Sequence, residues 1–401
     1  MDITKLFMCT AASGGAPTTY NYPIMAVSQA SMSNTNNLAT GITHGADIAW
    51  TSTIANVSSV TPVDIDVSNF KFVLTTAPGG SAERTIGFYD DGSAVLSAVI
   101  TGTATDDIDT NTATIAAGSS LRIQNVNTVG TPASNVVSLW RVDCESLNQV
   151  LSSSTGGTTS ASGTRYYPLM GNTGTAFTAI ASAEQVFPIA GTLKTAMVKN
   201  MASALTSGSW TIDLMINGST SGVTMTVNNS GVTFSDSSNS VAVVPGDLGC
   251  WRVTPGSPQP NAAKALGFGI EFECSVAGTG VVLGVTGANS SNTTTQYGWM
   301  GMSSAWNATE SNRQALARAS TVTDLYIKSG AVPGAAKSWI ATVRKNGSGT
   351  SATATITGAS STDASWNGSV SYADDDLICF EMDPDGSPTS TWVKCSIAYH
   401  A

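Results

Sequence analysis

The chain has 401 residues, 17 Lys plus Arg against 27 Asp plus Glu, a formal charge of −10 and a pI near 4.5. With no run of basic residues, that balance disfavours a phosphate backbone as partner, and no stretch reaches the ~18 uninterrupted apolar residues of a membrane helix. Charged residues make up 11% of the chain, against about 25% in typical soluble domains, and hydrophobic residues 41%, which fits folded, exposed β structure and not disorder.

Length alone suggests two to four domains. The chain opens on an arm, residues 1–17, "MDITKLFMCTAASGGAP", whose apolar run from Leu6 to Cys9 is shorter than a secretory h-region, so export by the general secretory route is not expected. A repeat follows. Each of three units starts on an aromatic and a methionine: "TTYNYPIMA" with Tyr22 and Met25, "TRYYPLMG" with Tyr167 and Met170, "TQYGWMG" with Tyr297 and Met300. The Met-to-Met intervals are 145 and 130 residues.

Each opening leads to a strand, "FKFVL" at Phe70, "LKTAMVK" at Leu193 and "LYIKSG" at Leu325. Next comes a hairpin: "RTIGFYDDGSAVLSAVIT", "WTIDLMINGSTSGVTMTV" and "WIATVRKNGSGTSATATI". Asp91-Gly92, Asn217-Gly218 and Asn346-Gly347, flanked by β-branched residues, are two-residue turn signals. Arg84 stands where the other units have Trp210 and Trp339. A polar turn then leads into a strand, "AAGSSLRI" ending at Ile123, "VPGDLGCW" with Cys250, and "ADDDLICF" with Cys379. The units close on alternating strands that end at Cys144, Cys274 and Cys395.

About eight strands per unit fit a jelly roll, two Greek keys in a double sheet, better than a seven-stranded immunoglobulin domain. The expected fold is therefore all-β: three tandem jelly-roll β-sandwich domains at 18–146, 164–275 and 294–401, joined by Gly/Ser/Thr-rich linkers at 147–163 and 276–293. "ATESNRQALAR", from Ala308 to Arg318, is the one segment with helical character, and an ordered loop explains it equally well. Met25 and Phe70 are 45 residues apart, against 23 and 25 for the matching pairs, so unit 1 is expected to carry an extra loop from Gln29 to Asp66, a natural place for a unit-specific contact.

The order of strand, Asn-Gly hairpin, Thr/Val-rich strand, Gly-Asp turn and closing strand resembles the tumour-necrosis-factor-like jelly rolls of tailed-phage structural proteins, found in head decoration proteins and in fibre or tail tips. The resemblance covers nearly all of the chain after about residue 15. Such modules assemble as homotrimers, so three fused copies imply a pseudo-threefold trimer within one chain. The implied function is that of a non-enzymatic virion structural protein, a capsid decoration or cement protein on the outer head surface, assembled in the host cytoplasm. Its partners would be other virion proteins, the major capsid protein first, with self-association as a further expectation. The arm would touch the capsid through Asp2, Ile3, Leu6, Phe7 and Met8. A fibre or tail-tip adhesin for host glycan, a bacterial surface-filament subunit and a polysaccharide-cleaving enzyme are the alternatives.

Reactive chemistry is sparse. Two histidines, His44 and His400, are too few for a His-rich metal site and make a triad hard to build. Glu271 and Glu273, or Asp374, Asp375 and Asp376, supply the paired carboxylates that a glycosidase uses, but Glu271 and Glu273 alternate on one strand and unit 3 has Val393 in place of Glu273, which suggests a solvated face. Asp106-Asp107 and "DPDG" lack EF-hand spacing and suit turns. No catalytic residue, metal or cofactor is expected. Cys250 with Cys274, and Cys379 with Cys395, fall on penultimate and final strands and can form disulfides; Ile123 at the matching position of unit 1 and a reducing cytoplasm favour buried free thiols instead. Cys9 and Cys144 are unpaired in either case. Trp210, Trp339, Tyr167, Tyr297 and Trp299 recur in the repeat and are expected in core or sheet packing. Trp50, Trp306 and Trp366 lie outside the repeat frame and are the candidates for exposed ligand contacts.

Overall fold

A computed structural model describes residues 19–32, 38–42, 50–133, 136–172, 176–284, 289–298 and 306–400. Three successive stretches of chain each contribute eight strands, numbered 1 to 8 within a unit. In unit 1 these are Ile24–Met32, Leu38–Thr40, Ile65–Leu74, Glu83–Asp90, Ser93–Thr101, Asp106–Ile115, Ser120–Val129 and Val136–Ser146. Unit 2 has Gln149–Ser154, Arg165–Tyr167, Gly191–Asn200, Trp210–Ile216, Ser219–Val227, Thr233–Val243, Leu248–Pro255 and Leu266–Cys274. Unit 3 has Thr279–Leu283, Gln296–Gly298, Ser320–Ser329, Gly334–Lys345, Ser348–Gly358, Asp363–Tyr372, Leu377–Asp385 and Val393–His400. Each unit's strands pair in the orders 1-8-3-6 and 2-7-4-5, the two interleaved Greek keys of a jelly roll. A short strand between strands 2 and 3 (Ser59–Val60, Gln185–Val186, Ala315–Leu316) adds to strand 7.

The local reasons are visible in the sequence. At the hairpin between strands 4 and 5, φ is positive at both central residues, 41° and 100° at Asp91-Gly92, 49° and 77° at Asn217-Gly218, and 50° and 80° at Asn346-Gly347, as the twist of two-residue hairpins demands. Strand 3 buries its sixth, eighth and tenth residues in every unit: Phe70, Phe72 and Leu74, then Ala196, Val198 and Asn200, then Leu325, Ile327 and Ser329. The inward faces of the two sheets meet in an aromatic-rich core, where Phe70 contacts Phe88 edge-on at 6.4 Å and Trp251 stacks on Phe268 at 5.7 Å. Trp210, Trp339 and Tyr167 are fully buried, and Arg84 is buried in the place of the first two. Segment 308–318 forms a single 3-10 turn, Glu310–Asn312, followed by the short strand Ala315–Leu316.

Three expectations need correction. The stretches 147–163 and 276–293 are not free linkers, because Gln149–Ser154 and Thr279–Leu283 are the first strands of units 2 and 3, paired with the eighth. Only residues 147–148 and 275–278 cross between units. "QVLSSS" has the composition of a linker because the serines at 152, 153 and 154 are buried polar groups in a crowded junction. The opening motifs are also out of register: Tyr167 and Tyr297 lie on strand 2, whereas Met25 lies on strand 1 opposite Arg141. The unit 1 counterpart of Tyr166 and Tyr297 is Ala39, which makes the same isolated bridge (to Thr51) as they make to Phe177 and Asn307. In this alignment the interval from the end of strand 2 to the sixth residue of strand 3 is 30, 29 and 27 residues, so unit 1 has no extra loop between Gln29 and Asp66. Trp299 and Met300 lie outside the described residues.

Candidate functional site

The turn between strands 6 and 7 (residues 116–119, 244–247 and 373–376) has a left-handed third residue, with φ of 87° at Gly118, 89° at Gly246 and 70° at Asp375. In units 2 and 3 the hairpin asparagine clamps this turn. The Asn217 amide donates to the Asp247 carboxylate at 2.7 Å and its oxygen accepts from the Leu248 N–H at 2.9 Å; Asn346 does the same with Asp376 and Leu377 at 2.6 and 2.7 Å. The turn's third residue thereby faces the next unit.

Strand 3 of that next unit supplies the partner. Lys199, the ninth residue of strand 3 in unit 2, donates to the Gly118 carbonyl at 2.8 Å and pairs with Asp91 at 2.9 Å. Lys328, ninth in unit 3, donates to the Gly246 carbonyl at 2.7 Å. Unit 1 has Val73 at this position, and there Lys71, two residues earlier, pairs with the Asp375 carboxylate at 2.7 Å and with Asp106 at 3.3 Å. The contacts run from unit 2 to 1, from 3 to 2 and from 1 to 3, so the three sandwiches close on one another.

A second contact turns in the same sense. Each short strand packs on strand 8 of the following unit: Ser59–Val60 on Leu266–Cys274, Gln185–Val186 on Val393–His400, and Ala315–Leu316 on Val136–Ser146. Pairing with strand 3 aligns Gly267, Lys394 and Leu139, and likewise Gly269, Ser396 and Arg141. Three chemistries fill these two neighbouring positions. The glycines admit the backbone of Ser59–Val60 directly. Lys394, fully buried, donates to the carbonyls of Ala181 and Glu184 at 2.6 and 2.5 Å and lies 4.7 Å from the Trp392 ring; burial pushes its pKa down to about 8. Arg141, 3% exposed, donates to the Ala317 carbonyl at 2.7 Å and lies within 3.4 Å of Asp374 and Asp375. Beside it Arg318 pairs with Asp143 at 3.1 Å and with Asp374.

The acidic candidates belong to these junctions and turns. Glu271 is buried and accepts from the Asn148 amide at 2.8 Å; Glu273 pairs with Lys194 at 2.7 Å. Asp107 and Asp109 accept the backbone N–H groups of Val99 and Ser97. Asp376 pairs with Lys345 inside unit 3. Among the described residues no group of three His, Cys, Asp or Glu side chains is placed to hold a metal ion.

Two of the three aromatic candidates, Trp50 and Trp306, are corrected outright. Trp50 is buried, edge-on to Phe72 and Trp140, and Trp306 is buried as well; Trp366 is half-buried and packs against the core. Each completes a core that the repeat frame alone did not close. The proposed disulfides are absent: Cys250, Cys274, Cys379 and Cys395 are free thiols, as is Cys144. In each proposed pair one cysteine sits on strand 7 and the other on strand 8, in opposite sheets, and Cys250 packs with Ala183 and Met215 apart from the main core that Cys274 and Cys395 join. Asp2, Ile3, Leu6, Phe7, Met8, Cys9 and His44 lie outside the described residues. His400 ends strand 8 of unit 3, its ring 3.4 Å from the Thr279 hydroxyl.

The sequence reading missed Lys71, Arg141, Lys199, Lys328 and Lys394 as junction residues. For Lys199 and Lys328 the signal was a lysine at the ninth position of two aligned strands; the strand 8 contact was signalled by "GFG" at 267–269 in a strand that otherwise carries bulky residues. A shallow cleft of about 410 Å³ also opens on the hairpin sheet of unit 2, between Tyr166, Asp213, Arg252 and the threonines at 164, 211 and 254.

No family model matches the chain, and no curated protein matches its sequence. Among solved structures it is similar to a chain in the atomic structure of Sulfolobus turreted icosahedral virus, with 12% identity over 86% of this chain and 81% of that chain, at a TM-score of 0.19. A likeness of that size carries no argument about this chain; the jelly-roll assignment rests on its own strand order.

Proposed function

We propose that the chain is a non-enzymatic structural protein of a virus particle, a decoration or cement protein bound to the outer surface of the head. The supporting observation is the cyclic set of junctions, Lys199 to Gly118, Lys328 to Gly246 and Lys71 to Asp375. Three jelly rolls closed in this sense make a pseudo-threefold body from a single chain, and such a body matches the local threefold positions of an icosahedral shell. The carboxylates that the sequence offered to a catalyst, Glu271, Glu273, Asp374, Asp375 and Asp376, are engaged in intramolecular pairs, which suits assembly over turnover. In this reading the major capsid protein is the partner, residues 1–17 reach it through Asp2, Ile3, Leu6, Phe7 and Met8, and no cofactor takes part.

A fibre or tail-tip adhesin is the second reading. It is favoured by the unit 2 cleft, in which a tyrosine ring, a paired carboxylate and guanidinium, and three threonine hydroxyls form a surface suited to a polyhydroxylated ligand. Gold-labelled antibody on intact particles separates the two. Label over the facets supports the cement reading, label at a tail tip supports the adhesin, and particles without label overturn both.

A further inference from the structure

We infer that the cleft between units 2 and 3 is a binding site for a basic side chain of a partner protein, at the place that an arginine of this chain fills in the junction between units 3 and 1. The inference does not depend on the virion reading. The cleft has a volume of about 450 Å³; unit 2 lines it with Pro188, Ile189 and Pro245, the crossing between the units with Val276, and unit 3 with Asp324 and His400 among polar neighbours. That size lies within the roughly 300–1,000 Å³ of ordinary ligand clefts.

The correspondence of the two junctions is fixed by the backbone. Phe187 exchanges hydrogen bonds with the turn at Gly246 and Asp247, and Ala317 does so with the turn at Asp375 and Asp376. The next residue is Pro188 in the first case and Arg318 in the second. The second residue of the turn is Pro245 or Asp374, and the fifth residue of the facing strand 3 is Asp324 or Asn69. Where unit 3 meets unit 1, the Arg318 guanidinium spans this corner. It contacts Asp374 on the turn and lies 3.1 Å from Asp143, whose carboxylate also accepts from the Asn69 amide at 2.9 Å.

Where unit 2 meets unit 3, two prolines replace the cation and its turn-side partner, while a carboxylate is present on the far wall. Asp324 accepts from the Asn367 amide at 2.7 Å, and among the described residues no lysine or arginine pairs with it. Prolines, Ile189 and the 60% exposed Val276 form an apolar wall of the kind along which the methylene stem of Arg or Lys lies, with its head on the carboxylate. A net charge of −10 steers basic partners toward the surface.

The test is titration of the full chain with argininamide as probe, followed by calorimetry or amide chemical shifts. The wild type should bind saturably. Asp324→Asn should weaken binding by about tenfold or more, the scale of a lost charge-assisted hydrogen bond. Pro188→Arg, which places a guanidinium where Arg318 stands in the other junction, should abolish binding and leave the thermal midpoint equal or higher. Absence of saturable binding to the wild type, or equal binding to wild type and Asp324→Asn, would overturn the inference. Should Pro188→Arg fail to fold, the Asp324→Asn comparison decides alone.

Discussion

The ammonium of Lys199 lies 2.8 Å from the carbonyl oxygen of Gly118, one jelly roll reaching into the turn of the one before it. Lys328 and Gly246 repeat the contact at 2.7 Å one unit later. Both glycines are left-handed and both give their carbonyls to a lysine of the next unit, so the turn conformation and the interdomain bond coincide at the same residue. Lys199→Met and Lys328→Met each leave a carbonyl without its charged donor and should lower unfolding free energy by about 1–3 kcal/mol. Urea unfolding of each variant checks this. Values within experimental scatter of the wild type would mean that packing alone holds the junctions.

The cysteines give a second prediction. Burial, the first cause in every case, pushes the thiols of Cys250, Cys379 and Cys395 well above the ordinary value and that of Cys144 to about 12, with the nearby carboxylates of Asp143 and Glu310 adding to it at Cys144 and Cys379. Thiolate is the reactive form, so these four should resist maleimide and disulfide reagents in the folded protein. Cys274, only half-buried, should label first among the five described thiols. Reductant should leave the thermal midpoint unchanged, and a fall of several degrees on reduction would show that a disulfide had formed.

The hairpins were legible because Asn-Gly and Asp-Gly state a backbone requirement that holds whatever surrounds them. Strand order followed from the eight-strand count. The junctions were not legible, since Lys199 on an alternating strand reads as an ordinary solvated residue until the neighbouring turn is in place. The same blindness mislaid Trp50 and Trp306. Both looked exposed because they fell outside the repeat, yet a core closes with whatever large side chain the connecting segment offers, and Trp50 caps the Phe72–Trp140 stack. Serines 152, 153 and 154 read as linker because composition does not register burial by another unit.

Acid should loosen the junctions and the turns within the units in a defined window. Burial alone would raise the carboxyls of Asp374, Asp376 and Asp91, but hydrogen bonds from Arg318, Lys345 and Lys199 outweigh it and hold all three below the ordinary range. At Asp236, bonds from Asn239, Ser238 and the Thr224 N–H outweigh burial and bring the value to about 2. A folded pKa below the unfolded one contributes stability that is complete above the unfolded value, about 3.9, and is lost as pH falls through the folded value. Urea midpoints should therefore drop between about pH 5 and pH 2. Asp374→Asn, which removes one of the carboxylates joining units 3 and 1, should unfold more easily at pH 7 and show a shallower acid slope. Parallel curves for wild type and variant would remove Asp374 from the account.

The glycines of strand 8 in unit 2 offer the sharpest steric test of the junction. A Cβ at position 269 would stand 2.3 Å from the carbonyl oxygen of Val60 and 2.8 Å from Pro62 Cδ, and the first of these is backbone that cannot swing aside. At position 267 the nearest atom, at 2.0 Å, is the movable end of Met201, followed by the Ser58 carbonyl at 2.8 Å. Gly269→Ala should therefore be the costlier change, about 1–3 kcal/mol for forcing the short strand of unit 1 off strand 8 of unit 2. Gly231→Ala is the control, because its Cβ meets nothing within 4 Å, and it should stay within about 0.5 kcal/mol of the wild type. Urea unfolding of the three variants, with limited proteolysis at the crossing of residues 147–148, separates the cases. If Gly269→Ala behaves like Gly231→Ala, the close approach of Val60 to strand 8 is not part of the folded protein in solution, and the junction rests on its other contacts, Lys199 with Gly118 and Asp91 among them.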